Sequence, residues 1–149
     1  METLRFAISI KAPAEKVHRL MLAEDTYRQW TSAFNPGSTY KGTWEKGSKI
    51  LFVGTDKEGK EDGMVSRIKE HVPAAFVSIE HIGMLDGGQE ITSGPSIEEW
   101  VGALENYRFE ERENDTLLSI ETDTTEQFKS YFETAWPKAL QKLKEICEA

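Results

Sequence analysis

Cysteine is almost missing from this chain. Cys147 is the only one among 149 residues, so no disulfide can form within it. No positive microenvironment that would lower its pKa is visible around it, and its place in a terminal apolar pattern reads as packing rather than as a nucleophile. Histidine is scarce as well: there are three, and no two share a short spacing that would converge on a metal, so no metal site is expected. Long apolar runs are absent too. Met1 is followed at once by Glu2, Thr3, Leu4 and Arg5, with no stretch suited to a signal peptide or a membrane-crossing helix, which makes a cytoplasmic protein the expectation. Dense basic blocks are also wanting. With 26 acidic against 18 basic residues and a net charge of −8, neither a nucleic acid nor an anionic membrane is an expected partner. Gly83, Gly87 and Gly88 are not followed by the Gly-Lys-Ser or Gly-Lys-Thr of a phosphate cradle, no Ser/His/Asp order is defensible, and no cofactor or catalytic residue is assigned.

What is present begins with size: 149 residues at 38% hydrophobic content suit one domain spanning positions 1–149. The chain is organised around its last element, Thr124 to Cys147. Phe128, Phe132, Ala135, Ala139, Leu143 and Ile146 recur at steps of three and four, which stacks them on one face of a helix. Thr124 with Gln127 fits a capping box, and Asp123 and Glu126 place negative charge where the helix dipole favours it. Pro137 lies inside the pattern and predicts a kink near Glu133 to Trp136, with two shorter helices as the alternative.

At the other end, Leu4, Phe6, Ile8 and Ile10 alternate with Thr3, Arg5, Ala7 and Ser9, the period of a strand with one wet face. A helix over Pro13 to Leu22 and a shorter helical stretch from Glu24 to Trp30 follow, closed by the turn Asn35-Pro36-Gly37. Closely spaced glycines then set a hairpin rhythm. Strands are expected near Ser38 to Trp44, Ser48 to Thr55, Gly63 to Glu70, Phe76 to Ile82, Glu105 to Glu113 and Thr116 to Asp123. No helical stretch for repeated parallel crossovers intervenes, so the sheet should be largely antiparallel. The long connection Met84 to Ala103 stands apart. It carries loop chemistry at Leu85 to Gln89 and at Ser93-Gly94-Pro95, then a possible capping box at Ser96 to Glu99.

The order strand, two short helices, six strands and long helix resembles the helix-grip proteins of the START-like superfamily, in particular the branch resembling the activator of heat-shock-protein-90 ATPase homologue. The resemblance rests on Ala12-Pro13-Ala14-Glu15-Lys16-Val17, Tyr27-Arg28-Gln29-Trp30-Thr31, Asn35-Pro36-Gly37-Ser38, Gly42-Thr43-Trp44 leading to Gly47-Ser48-Lys49-Ile50, and Trp136-Pro137-Lys138-Ala139-Leu140 with Leu143-Lys144. It implies an α+β fold in which a curved antiparallel sheet of about seven strands wraps the C-terminal helix. It also implies a cavity for a small apolar or amphipathic molecule. Two alternatives follow from the same likeness: an interaction module with a chaperone partner, and a cyclase-like enzyme with a cavity acid or base.

Candidate ligand-binding residues are chosen on that basis. Trp30, Trp44, Trp100 and Trp136 supply large apolar surface with an N–H donor each, and Trp30, Trp100 and Trp136 are taken into the expected lining. Trp100 is singled out because it lies in the loop-rich connection, which is expected to be either a lid over the cavity or a static plug of the core. His81 is in phase with Val77 and Ile79 and should face inward as a hydrogen-bond anchor, acid or base. Phe34, Met64, Ile79, Met84, Tyr107, Phe128 and Phe132 complete the expected lining. His18, beside the first helix's stripe, and His71, in a turn, are expected to be solvated.

Overall fold

The computed structural model describes residues 1–149 as an α+β helix-grip fold. Strand β1 (Glu2–Ile10) leads into helices α1 (Ala14–Leu22) and α2 (Glu24–Thr31), and the chain continues as β2 (Thr39–Gly42), β3 (Lys49–Thr55), β4 (Glu61–Val72) and β5 (Phe76–Asp86). A short β6 (Gln89–Ile91), then β7 (Ala103–Glu111), β8 (Thr116–Thr124) and α3 (Glu126–Glu148) complete it. The eight strands form one antiparallel sheet ordered β1-β8-β7-β5-β4-β3-β2, with β6 on β5 beside the end that β7 leaves free. The pair α1–α2 therefore carries the chain from one sheet edge to the other, and every later connection returns it stepwise to β1.

Period-two alternation puts Leu4 and Ile10 of β1, Leu118 and Ile120 of β8, Tyr107 and Phe109 of β7, and Val77 and Ile79 of β5 on one buried face. Against that face α1 buries Val17 and Met21, α2 buries Tyr27 and Trp30, and α3 buries Ala135, Trp136, Ala139, Leu140, Leu143 and Cys147. Two bulges adjust the alternation. Lys69 of β4 and Ile82 of β5 have no partner in the β4–β5 register, so His71 as well as Ile68, and Met84 as well as His81, face the helices.

Several expectations change here. The long helix is the single element expected and not the alternative of two shorter ones; it runs through Pro137, whose missing N–H is tolerated because residue 137 is exposed. Its first residue is Glu126, and Thr124 closes β8 rather than capping the helix; no side chain bonds the free N–H groups. Phe128 is not on the gripped face but 45% exposed, because only the part of α3 from Ala135 onward lies buried. Strand β5 extends to Asp86 and turns through Gly87 and Gly88 into β6, so the stretch expected to be loop at Leu85 is strand. Residues 95–102 form turns, not a capped helix.

The histidines His18 and His71 are the clearest correction. Neither is solvated: both are half-buried, His71 lies on β4, and their Nε2 atoms are 2.8 Å apart. His71 Nδ1 donates to the Trp44 carbonyl at 2.8 Å, since a carbonyl can only accept, which leaves its Nε2 to accept from His18. The pair fastens α1 to β4, with the His18 ring edge-on to Phe109 at 5.5 Å. Sequence separation hid it, because the two positions lie 53 residues apart.

Two outcomes are expected. Leu143→Ala, at a fully buried site, should lower unfolding free energy by about 2–5 kcal/mol in urea titrations, while Phe128→Ala should change it by no more than about 0.5 kcal/mol. The pKa of His18 is pushed below its ordinary 6.5, first by burial and then by His71. The folded state thus binds fewer protons than the unfolded one below that value, and stability should fall as pH drops from 6.5 through the lowered pKa. Repeating the urea titration across that range with His18→Gln should show a shallower fall.

Candidate functional site

The inward face of β3–β5 and β7 carries polar residues where the alternation would otherwise place core. Ser66 of β4 lies opposite His81 of β5, which lies opposite Ala103 of β7, and Glu105 follows one inward position along β7. His81 is 8% exposed, and both its ring nitrogens are engaged: Nδ1 is 2.7 Å from Ser66 Oγ and Nε2 is 3.3 Å from Glu105 Oε1. A carboxylate can only accept, so Nε2 is the donor toward Glu105, and Nδ1, which carries no proton in that tautomer, accepts a hydrogen bond from the Ser66 hydroxyl. Tyr107 donates its hydroxyl to the other oxygen, Glu105 Oε2. Three side chains thus feed hydrogen bonds toward one carboxylate.

Rings surround this row. Phe52 lies edge-on to His81 at 6.3 Å and contacts Tyr27, which packs on Trp30. Trp136 of α3 meets Tyr107 at 6.2 Å, Trp30 at 5.9 Å and Phe34 at 5.0 Å. Burial, and after it the Glu105 charge, raises the pKa values of Tyr27 and Tyr107 well above the ordinary tyrosine value. Both phenols therefore stay protonated, and Tyr107 is the one that donates to Glu105. Beyond His81, toward the open end of the grip, Phe52, Met64 and Met84 stand opposite one another across three strands and are only half-buried. Phe34 and Phe132, whose rings are 6.5 Å apart, stand half-buried on the helix side. One donor inside this region is unsatisfied: Trp44 Nε1 is buried without a partner, on a ring 5.6 Å from Phe52 and 5.4 Å from Tyr40.

The sequence-chosen residues fall into three groups. Trp30, Phe34, Ile79, His81, Tyr107, Phe132 and Trp136 are in or packed against the core between sheet and helices, Trp30 being fixed by its Nε1 bond to the Met21 carbonyl at 3.0 Å. Met64 and Met84 form the half-buried row. Phe128 and Trp100 are not brought in. Phe128 is on the exposed first half of α3, and Trp100 pairs with no interior ring and does not pack against the core. After β6 the chain crosses Gly83 so closely that a Cβ there would lie 2.4 Å from the Ile91 carbonyl oxygen. Gly83 pairs with Val65, which alternates with inward Met64 and Ser66, so this crossing is on the face away from α3. The connection begins by covering the back of the sheet, where Val65 and Leu85 are buried.

Ser66, Glu105 and Phe52 were not foreseen. A signal existed for two of them: Ser66 lies in the phase of Ile68 and Glu105 in the phase of Tyr107, polar residues at inward positions. Cys147 is fully buried, and burial pushes its thiol pKa up to about 11, so it supplies no nucleophile. No group of three or more candidate metal ligands is assembled.

Residues 11–148 match the model of the family described as Activator of Hsp90 ATPase homolog 1-like protein. No curated protein matches the chain. Among solved structures, an Aha1 dimer from Colwellia psychrerythraea superposes with a TM-score of 0.69 at 21% identity, covering 99% of this chain and 97% of that one. An uncharacterised protein from Rhizobium leguminosarum gives 0.73 at 18% identity, covering 99% and 94%. CalU16 from Micromonospora echinospora gives 0.67 at 18% identity, covering 97% and 73%. At such identities the likeness speaks for the fold alone.

Removing the Ser66 hydroxyl leaves His81 Nδ1 without its partner in a buried place. Ser66→Ala is expected to lower stability by about 1–3 kcal/mol, and nitrogen NMR of the wild type should find His81 as the Nε2–H tautomer at neutral pH. A wild-type Nδ1–H tautomer would contradict the hydrogen-bond order given above.

Proposed function

The chain belongs to the Activator of Hsp90 ATPase homolog 1-like family, and we propose that it uses the grip of sheet on helix to bind a small amphipathic molecule. One observation carries this reading: a half-buried apolar row, Phe52, Met64 and Met84, lies directly beside a polar row, His81 and Glu105, on the inward face of the sheet. An apolar body would exchange water for contact with the rings and methionines, and a polar end would meet the groups below.

A second reading is an interaction module with a chaperone partner. Phe128 and Tyr131, three residues apart on α3 and each 45% exposed, supply an apolar surface that the fold itself does not cover. An acid–base role for His81 is favoured by no observation, since both its nitrogens are already bonded.

Native mass spectrometry of protein purified without detergent tests the first reading. A co-purifying small molecule should appear as a discrete added mass, and Met84→Trp, which fills the open row, should abolish it while leaving the melting temperature within a few degrees. Calorimetry against a purified Hsp90 tests the second: binding weakened by Phe128→Ala and Tyr131→Ala would support it.

A further inference from the structure

The hydrogen-bond order in the interior specifies the kind of polar end the site accepts. Ser66 donates to His81, His81 donates to Glu105, and Tyr107 donates to Glu105, so every proton in the array points at one carboxylate. A carboxylate offers about four acceptor positions, and these two bonds leave the others open. The Glu105 side chain is 20% exposed while His81 is 10%, so the carboxylate is the part of the array that reaches the accessible side. No lysine or arginine pairs with it: each ion pair that a Lys or Arg makes in the fold uses another carboxylate, and the only basic partner of Glu105 is His81.

We propose that the interior selects ligands whose polar end is a hydrogen-bond donor, and above all an organic ammonium, over ligands ending in a carboxylate. The inference rests on the binding reading given above and narrows it. Three features agree. An ammonium supplies the donors that the open carboxylate positions lack, in a charge-assisted bond. The rings of Tyr27, Phe52 and Trp136 lie around the array, and aromatic faces attract cations. The chain carries a net charge of −8, so its field draws cations and repels anions. A fatty acid, by contrast, would bring a second carboxylate against Glu105 and find no positive group to offset it.

The test compares ligands with one body and different heads: decylamine, decanol and decanoic acid, and in parallel naphthylmethylamine, naphthylmethanol and naphthoic acid. Each is titrated below its aggregation limit at neutral pH, following tryptophan emission, with calorimetry on the tightest. The expected order is amine, then alcohol, then acid, with about ten- to a hundredfold between amine and acid, and Glu105→Gln should compress that span to within about threefold without removing the apolar contribution. If Glu105→Gln does not fold, the carbon shift of the Glu105 carboxyl in the wild type gives the same answer, moving with the amine and not with the acid. Acids binding as tightly as amines, or an order that survives Glu105→Gln, would overturn the donor preference and leave the binding reading standing. If none of the six binds, the binding reading fails and the preference falls with it.

Discussion

Trp136 joins the parts of this fold that would otherwise share little contact. Its indole is 2% exposed and meets Phe6 of β1, Trp30 of α2, Phe34 beyond α2, and Tyr107 of β7. The sheet curls far enough to close on α3 because this ring and the small Ala135 and Ala139 beside it let strands and helix approach. From the ring toward the C-terminus, α3 is packed at Leu140, Leu143 and Cys147; toward the N-terminus it lifts away, leaving Phe132 half-buried and Phe128 and Tyr131 exposed. The site lies where packing gives way to that opening. Tyr107, which touches Trp136 on one side, bonds Glu105 on the other, so the wedge that holds the fold also orients the polar row.

The polar row draws its order from the backbone rather than from its own chemistry. Ser66, His81 and Glu105 come from three strands, and register in an antiparallel sheet is fixed by the apolar residues that must stay inside. Ile68, Ile79 and Tyr107 do that here. A serine hydroxyl and a carboxylate on opposite sides of an imidazole could be mistaken for hydrolytic machinery, yet Ser66 is fully buried and its proton is committed to His81. The arrangement holds a tautomer; it does not expose a nucleophile.

Much of the fold was legible in the sequence. Period-two runs in β1, β5 and β8 and the spaced glycines announce strands, and the stripe from Ala135 to Leu143 announces the helix they enclose. The inward direction of His81 follows from Val77 and Ile79 because no bulge falls between them. Other features depend on non-local pairing and leave no local trace. The stripe extends to Phe128 as evenly as to Leu143, and nothing in its spacing reveals that the sheet ends short of it. The His18–His71 contact joins two elements whose approach is a property of the closed sheet. Glu105 reads as one more charge in an acidic chain until the strand beside it is known.

The unpaired Ile82 acts on β5 like a frameshift in a reading frame. Before it, odd positions face the helices; after it, even ones do, and so His81 and Met84 share a face despite an odd separation. Plain alternation through Ile82, with every residue kept and none left unpaired, would turn Met84, with the rest of the strand's end, to the back of the sheet, while presenting Leu85 and Gly83 to the front. The apolar rim and the polar row are therefore two successive phases of one strand. At its present length the segment keeps both on one face only while Ile82 stays out of the ladder, which ties the site to that bulge as strictly as to the identity of its residues.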